Sequence, residues 1–181
     1  MFKETSSTTK TRVVFDGSGK SSTRLSLNNI LQVGPTVQPD LYLIVLRFRL
    51  HQVCFTADIE KMYCQILIHP QDGDLQRILW RYNIEEPIKE YRLSTVTYGT
   101  SSAPFLATRC LKKLADNNQY QHPRASQVLS NNFYVDDLLS GTSSVQDAIE
   151  LQREISTLLE TSGFTLRKWA SNNPTFLRNI H

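Results

Sequence analysis

Residues 133–141 read FYVDDLLSG, and this stretch is the strongest indication of the fold. Aromatic and aliphatic residues flank two consecutive aspartates, Asp136 and Asp137. The pattern predicts a β-hairpin with the acidic pair at its tip, because the apolar residues on each side read as short strands. Two charges in an apolar frame are costly unless a cation neutralises them. The stretch therefore predicts an antiparallel strand pair that carries a cation site.

A third aspartate stands in a similar apolar frame. Residues 53–58, VCFTAD, read as a buried strand that ends on Asp58. Asp58 precedes Asp136 by 136 − 58 = 78 residues, so only tertiary folding can bring the two together. Clustered carboxylates suit Mg²⁺, which prefers oxygen ligands. Two such ions can lower the charge cost of an in-line phosphoryl displacement, so the aspartates predict phosphoryl-transfer chemistry.

The rest of the chain mixes strands and helices without regular βαβ repetition. Alternation predicts a strand at 11–16, a hairpin from 77–83 and 89–96, and a last strand at 164–170. Helical spacing and turn signals predict helices near 25–31, 39–50, 59–66, 103–118 and 144–163. Because neighbouring strands form hairpins, we expect an α+β fold with a largely antiparallel sheet packed on helices.

Composition sets broad limits. The chain has 181 residues, of which 40% are hydrophobic and 20% charged, so one packed domain is expected. The net charge of +3 neither indicates nor opposes nucleic-acid binding. Three cysteines without a Cys-x-x-Cys pair predict reduced, mostly buried thiols. The longest apolar run, residues 41–46, is too short to span a bilayer, and the first residues contain no signal-peptide segment. We therefore expect an intracellular protein without a membrane partner.

Residues 15–22, FDGSGKSS, contain the tail of a phosphate-binding loop and raise a competing hypothesis. A P-loop requires a further glycine five residues before Gly19, and that position is Val14. The loop should also open into a long helix whose amides complete the anion site, and the sequence after it does not predict one. We therefore interpret the stretch as a Gly/Ser turn.

The aspartates stand in a wider pattern that resembles a known family. Five stretches, in the same order along the chain, are similar to motifs of the reverse transcriptases of Bel/Pao-type long-terminal-repeat retrotransposons. The stretches that carry the resemblance are RVVFDGSGKSSTRLSLNNILQVGPTVQPDL (12–41), FTADIEKMYCQILIHPQDGDLQRILWR (55–81), TVTYGTSSAPFLATRCL (95–111), FYVDDLLSG (133–141) and ETSGFTLRKWASN (160–172).

The resemblance implies roles for residues around the aspartates. Asp58 and Asp136 match the metal-binding pair, and Asp137 matches a third, less directly ligating carboxylate. The backbone carbonyl of Ile59 falls where the family supplies a further metal ligand. Tyr63 matches the steric gate, whose ring excludes ribonucleotides by contact with the sugar 2′ position. The alternative for Tyr63 is an ordinary aromatic residue on a helix face.

The resemblance also implies a nucleotide-binding set. Gly99 matches a glycine that lets backbone approach the nucleotide or template, because it lacks a Cβ. Tyr98 stands where retroviral enzymes carry Gln, and we expect it to stack on the sugar or to pack beside it. Arg12 matches a fingers arginine that binds the triphosphate, with Lys10 beside it. The alternative for the two cations is a pair of solvated side chains at a strand edge.

The implied domain organisation is partial. We expect a frayed terminus at 1–10, a partial fingers segment at 11–52, a palm with a fingers insertion at 53–173 and a truncated tail at 174–181. The thumb, ribonuclease H and integrase regions of a parent polyprotein are expected to be absent. Since phosphate contacts supply much of nucleic-acid affinity, we expect the lack of a thumb to weaken binding.

The resemblance implies RNA-directed DNA polymerase activity. The enzyme would transfer deoxynucleoside triphosphates onto a primer 3′-hydroxyl on an RNA or DNA template, using two Mg²⁺ ions or Mn²⁺. The alternative is a catalytically inactive retroelement remnant that at most binds nucleic acid weakly. A two-metal nuclease would explain the aspartates but not Tyr63, Gly99 or Arg12. We expect the protein in the cytoplasm or in a retroelement particle.

Overall fold

The computed structural model describes residues 13–180. The helices are α1 (Leu27–Ile30), α2 (Leu41–Phe48), α3 (Ala103–Asn118), α4 (Pro123–Asn131), α5 (Val145–Glu160) and α6 (Pro174–Arg178), and two 3-10 helices span Met62–Gln65 and Pro70–Gln76. The strands are β1 (Val53–Ile59), β2 (Arg77–Trp80), β3 (Lys89–Arg92), β4 (Phe133–Tyr134), β5 (Asp137–Thr142) and β6 (Leu166–Ser171).

Within residues 13–180, the main sheet has four strands in the order β4-β5-β1-β6. Strand β1 lies inside this sheet and pairs antiparallel with β5 on one side and β6 on the other. Burial alternates along β1, as expected when successive side chains point to opposite faces of a sheet. Val53, Phe55, Ala57 and Ile59 are buried, so Asp58 lies on the opposite, more open face.

The helices supply the other half of the core. Helix α3 buries Ala103, Ala107, Leu111 and Ala115, a stripe with four-residue spacing. Side chains of α4, α5 and α6 join the same hydrophobic cluster, which also contains the buried face of β1. The expectation of an α+β fold, with an antiparallel sheet packed on helices, is confirmed.

Several predicted elements are confirmed. Both hairpins form, β2 with β3 and β4 with β5. Helix α3 has the predicted bounds, and α1 lies within the predicted range. Helix α5 begins at a side-chain cap, because the hydroxyl of Ser144 accepts the N–H of Asp147 at 3.2 Å. Gly163, predicted to stop this helix, has a φ of +78°.

The predicted strand at 11–16 is wrong in its described part. Residues 13–16 form no strand, and Val13 and Val14 are exposed. The ring of Phe15 packs edge-on against Tyr98, with centroids 5.4 Å apart, so the segment is held by side-chain packing in place of strand pairing. The predicted turn follows, since the carboxylate of Asp16 accepts the N–H of Ser18 at 3.0 Å.

The helix predicted at 39–50 is shorter than expected. It begins at Leu41, because the carboxylate of Asp40 accepts the N–H of Tyr42 at 2.7 Å and caps the helix. The helix ends at Phe48.

Two helices were not predicted. Helix α4 starts at Pro123 and buries Val128 and Leu129, but polar residues obscure its apolar stripe in the sequence. Helix α6 lies where a tail was expected at 174–181. Its Phe176 is fully buried and stacks on Phe55 with ring centroids 5.0 Å apart, so this segment is part of the core.

The cysteines are unpaired, as predicted, but not all are buried. Cys54 and Cys110 are half-buried, whereas Cys64 is exposed. Among the helices of residues 13–180, none combines the length and apolar character needed to cross a membrane.

Candidate active site

The acidic hairpin turns at Val135 and Asp136, between β4 and β5. Val135 has a φ of +55°, a conformation that a β-branched residue rarely adopts. The side-chain oxygen of Gln38 accepts the N–H of Val135 at 3.0 Å. This hydrogen bond connects the tip of the hairpin to the segment before α2, and it helps to hold the strained turn that carries Asp136.

Strand pairing closes the 78-residue gap between the aspartates. Asp58 of β1 lies directly opposite Asp137 of β5 in the antiparallel register. Directly opposed residues point to the same face of a sheet, so these two side chains share the open face. The N–H of Ile59 donates to the carbonyl of Asp136 at 2.8 Å. All three aspartates therefore meet at one end of the β1–β5 pair.

The aspartates influence one another electrostatically. Burial raises the pKa of Asp137, and the negative charges of Asp136 and Asp58 raise it further, while Lys168 acts in the opposite direction. A carboxyl group whose pKa is raised by its neighbours marks a concentration of negative charge. Such a concentration favours the binding of a cation.

Lys168 of β6 contacts this cluster. Its Nζ donates to Oδ2 of Asp58 at 2.6 Å. The other carboxylate oxygen of Asp58, Oδ1, is buried and has no hydrogen-bond partner within residues 13–180. The carboxylate of Asp58 is thus only half satisfied. An open cleft of about 360 Å³ lies here, lined by Thr56, Ala57, Asp58, Asp137, Leu138, Leu139 and Lys168.

The donor chemistry fits a divalent cation only in part. An unpartnered carboxylate oxygen beside two further carboxylates is the oxygen-rich setting that Mg²⁺ prefers. In the part of the chain that the structure describes, however, no three His, Cys, Asp or Glu side chains are grouped so as to hold a metal ion. Strand pairing brings Asp58, Asp136 and Asp137 together, but in this structure their side chains do not form a complete set of metal ligands.

Tyr63 interacts electrostatically with Asp136 of the acidic hairpin. It belongs to the 3-10 helix Met62–Gln65 and is half-buried against the hydrophobic core. Burial raises the pKa of Tyr63, and the negative charge of Asp136 raises it further. A tight turn at Lys61, with a φ of +48°, separates this helix from β1. Tyr63 is therefore within electrostatic reach of Asp136, and its role as a steric gate stays a prediction.

Tyr98 and Gly99 contact the segment that follows residue 12. The hydroxyl of Tyr98 donates to the carbonyl of Val13 at 2.6 Å. Gly99 has a φ of +93°, and a Cβ at this position would lie 2.3 Å from the carbonyl oxygen of Phe15. The close backbone approach expected at Gly99 thus exists, but the approaching group is Phe15. Roles of Tyr98 and Gly99 toward a nucleotide stay predictions.

The remaining predicted site residues are Arg12, Lys10 and Ile59. Arg12 and Lys10 lie outside the described residues. For Ile59 the structure records the N–H contact, and the role of its carbonyl as a metal ligand stays a prediction.

Sequence reasoning missed two residues, Gln38 and Lys168. The spacing of Leu166 and Trp169, two apolar residues three apart in a strand, could have indicated the irregularity that exposes Lys168.

A solved structure shares this architecture. The chain is similar to a mutant protease–reverse transcriptase of prototype foamy virus, with a TM-score of 0.61 and 15% sequence identity. The match covers 78% of this chain and 17% of the viral chain. At this identity the likeness shows a shared fold, that of a reverse transcriptase.

The family follows from the sequence profile. The profile described as "Reverse transcriptase (RNA-dependent DNA polymerase)" matches residues 3–169, which is most of the chain. The chain therefore belongs to the reverse transcriptase family. No curated protein sequence matches it.

Proposed function

We propose that this chain is the fingers and palm portion of a reverse transcriptase of the Bel/Pao type, and that it catalyses RNA-directed DNA synthesis. The observation that carries the proposal is the β1–β5 register, which sets Asp58 opposite Asp137. Membership of the reverse transcriptase family supports the reaction class.

The proposed reaction joins a deoxynucleoside triphosphate to a primer. Asp58 and Asp136 would hold Mg²⁺, or Mn²⁺ in its place, with the carbonyl of Ile59 as a further ligand. When bound, two such ions supply the positive charge that stabilises an in-line displacement at phosphorus. Tyr63, beside Asp136, would contact the sugar and exclude a 2′-hydroxyl.

The proposed partners are an RNA or DNA template with its primer and deoxynucleoside triphosphates. Arg12, with Lys10 beside it, would bind the triphosphate, and Tyr98 and Gly99 would lie near the nucleotide. We further propose that residues 11–52 are fingers and 53–173 palm, and that thumb, ribonuclease H and integrase regions belong to a parent polyprotein. The setting would be the cytoplasm or a retroelement particle.

One observation favours a second candidate, an inactive retroelement remnant that binds nucleic acid weakly. Lys168 already binds Asp58, and the three carboxylates are not grouped for a metal. A remnant would keep this ion pair in the presence of Mg²⁺.

Primer extension distinguishes the candidates. The chain alone, and the chain extended by the downstream residues of its reading frame, are incubated with a primed RNA template, Mg²⁺ and deoxynucleotides. The proposal predicts elongated primer at least with the extended chain. Salt-sensitive binding without elongation in either form supports the remnant, and Mg²⁺-dependent cleavage without triphosphate indicates a nuclease.

A further inference from the structure

We propose that Lys168 is a built-in counter-ion for the carboxylate cluster, which occupies the cation position at Asp58 until a divalent ion displaces it. Lys168 would thereby set the threshold for metal binding. The inference rests on the proposed function in one respect, namely that the ligand of Asp58 is a divalent ion.

The backbone of β6 directs Lys168 toward the cluster. The register pairs Thr56 with Ala170 and Asp58 with Arg167, so the two β6 residues between them oppose the single residue Ala57. This is a β-bulge, a feature that re-aims side chains and often lies near functional sites. Lys168 is within the bulge and has a φ of +54°. A non-glycine residue in this conformation is strained, because its Cβ crowds the backbone.

The bulge separates the two cations of β6 from its core-facing residues. Leu166 and Trp169 both pack against the core, although residues three apart in a regular strand face opposite sides. The extra residue of the bulge resolves this conflict and leaves Arg167 and Lys168 exposed. The backbone strain at Lys168 therefore accompanies the bulge. The bulge lets β6 pack Leu166 and Trp169 against the core and also directs Lys168 to Asp58.

The two neighbouring cations have different partners. Arg167 binds Glu60, with Nε 2.5 Å from Oε2, whereas Lys168 binds Asp58. Arg167 is thus a suitable control position for Lys168. It carries the same charge in the neighbouring position but pairs with Glu60 and not with Asp58.

The pair with Asp58 can be displaced by a stronger cation. The side chain of Lys168 is 69% exposed and that of Asp58 is 21% exposed, so the lysine can move into water. An exposed ion pair contributes only about 1 kcal/mol or less. A single ammonium also leaves Oδ1 of Asp58 unpartnered within residues 13–180 and does not neutralise three carboxylates. A divalent ion offers two charges and several coordination positions.

Mn²⁺ titration of metal-free protein tests the inference, with free Mn²⁺ measured by electron paramagnetic resonance. Lys168→Met removes the ammonium and keeps the aliphatic stem, and Arg167→Met is the matched control. We expect Lys168→Met to bind Mn²⁺ roughly two- to fivefold more tightly than Arg167→Met, the fold-change that corresponds to one exposed ion pair. Without metal, Lys168→Met should unfold at a lower temperature than wild type.

A second variant, Lys168→Asn, controls for loss of folding in Lys168→Met. Asn tolerates the left-handed conformation of residue 168 better than most residues, so Lys168→Asn removes the charge with little backbone cost. It should also bind Mn²⁺ more tightly, and Lys168→Arg should stay near the wild-type affinity. Equal affinities for wild type, Lys168→Met, Lys168→Asn and Arg167→Met would overturn the inference.

Asp58→Asn and Asp136→Asn separate this inference from the proposed function. If both variants lose Mn²⁺ binding while Lys168→Met matches Arg167→Met, the counter-ion role is rejected and the metal site stands. If neither aspartate variant changes Mn²⁺ binding, the proposed metal site is rejected and the inference with it. If Lys168→Met and Lys168→Asn bind Mn²⁺ measurably and the wild type does not, Lys168 blocks metal binding and the counter-ion role is supported.

Discussion

Gly99 has no room for a side chain. Its φ of +93° and the carbonyl of Phe15 both exclude a Cβ. We expect Gly99→Ala to lower the free energy of unfolding by about 2 kcal/mol, measured by urea denaturation. Gly19→Ala is the control, because its Cβ would lie 3.4 Å from the nearest atom and should cost much less. Equal losses in the two variants would contradict the account.

Asp137 gives a prediction with a defined pH dependence. Its pKa in the folded protein is raised above the usual 3.8, so the ionised carboxylate is less favourable in the folded than in the unfolded state. That cost is present in full above the folded pKa and disappears below 3.8. Without metal, Asp137→Asn should therefore be more stable than wild type at pH 7, and the difference should vanish near pH 3.5.

The comparison with Asp74 checks the sign of this effect. The hydrogen bond and charge of Arg77 lower the pKa of Asp74, so its ionised form stabilises the fold above that pKa. Urea denaturation at pH 7 should accordingly show Asp74→Asn slightly less stable than wild type and Asp137→Asn more stable. A loss of stability in Asp137→Asn at pH 7 would show that its carboxylate is satisfied in the metal-free fold.

The site residues differ in how well the sequence could reveal them. Asp58, Asp136 and Asp137 stood out because charges interrupt apolar strands at all three positions. Gln38 acts on a backbone amide 97 residues away, and no local pattern marks such a contact. Lys168 lies in a bulge of β6, for which the three-residue spacing of Leu166 and Trp169 is the sequence signal, but the register that brings Lys168 to Asp58 forms only in the folded sheet.

The acidic hairpin depends on support from outside its own strands. Gln38→Leu keeps the size of the side chain but removes the acceptor for the N–H of Val135. We expect the amide of Val135 to exchange with solvent about tenfold faster, as measured by hydrogen–deuterium exchange. The amide of Leu139, which donates to the carbonyl of Asn132 at 2.9 Å, serves as an internal control. Unchanged exchange at Val135 would mean that the strands alone hold the turn.

Helices and strands were predictable where a local signal was strong. Helix α3 and the cap of α5 follow from spacing and capping residues. Helix α4 was missed because its residues are mostly polar, and only packing against α3 and α5 reveals its buried side. The strand predicted at 11–16 is wrong in its described part, because Val13 and Val14 are exposed and, within residues 13–180, no strand pairs with residues 13–16.

The core extends to the last described helix. Phe176 of α6 is fully buried and stacks on Phe55 at the centre of β1. Phe176→Ala should cost about 3–5 kcal/mol of unfolding free energy, the usual loss for a buried phenylalanine, as measured by chemical denaturation. Tyr120→Ala, at a side chain that is 90% exposed, should cost almost nothing. A small loss at Phe176 would mean that α6 is dispensable for the fold.

The overall topology places the three aspartates at one end of the sheet. The sequence predicts that Asp58 and Asp136 lie close together, because both are needed to hold a cation, but it does not predict which residues of β1 and β5 pair. That register comes from strand pairing, with the apolar face of β1 buried beneath the helices and Asp58 on the opposite face. A shift of β1 by one residue would turn Asp58 toward the core.

Single-nucleotide incorporation is the most direct test of polymerase chemistry at this site. The chain, extended downstream to support primer binding, is compared with Asp136→Asn and with Asp116→Asn, an aspartate on α3 that pairs with Lys112 at the surface. We predict that Asp136→Asn lowers the rate by about 10²-fold or more, with unfolding temperature unchanged, while Asp116→Asn stays near wild type. Full incorporation by Asp136→Asn would contradict the central claim.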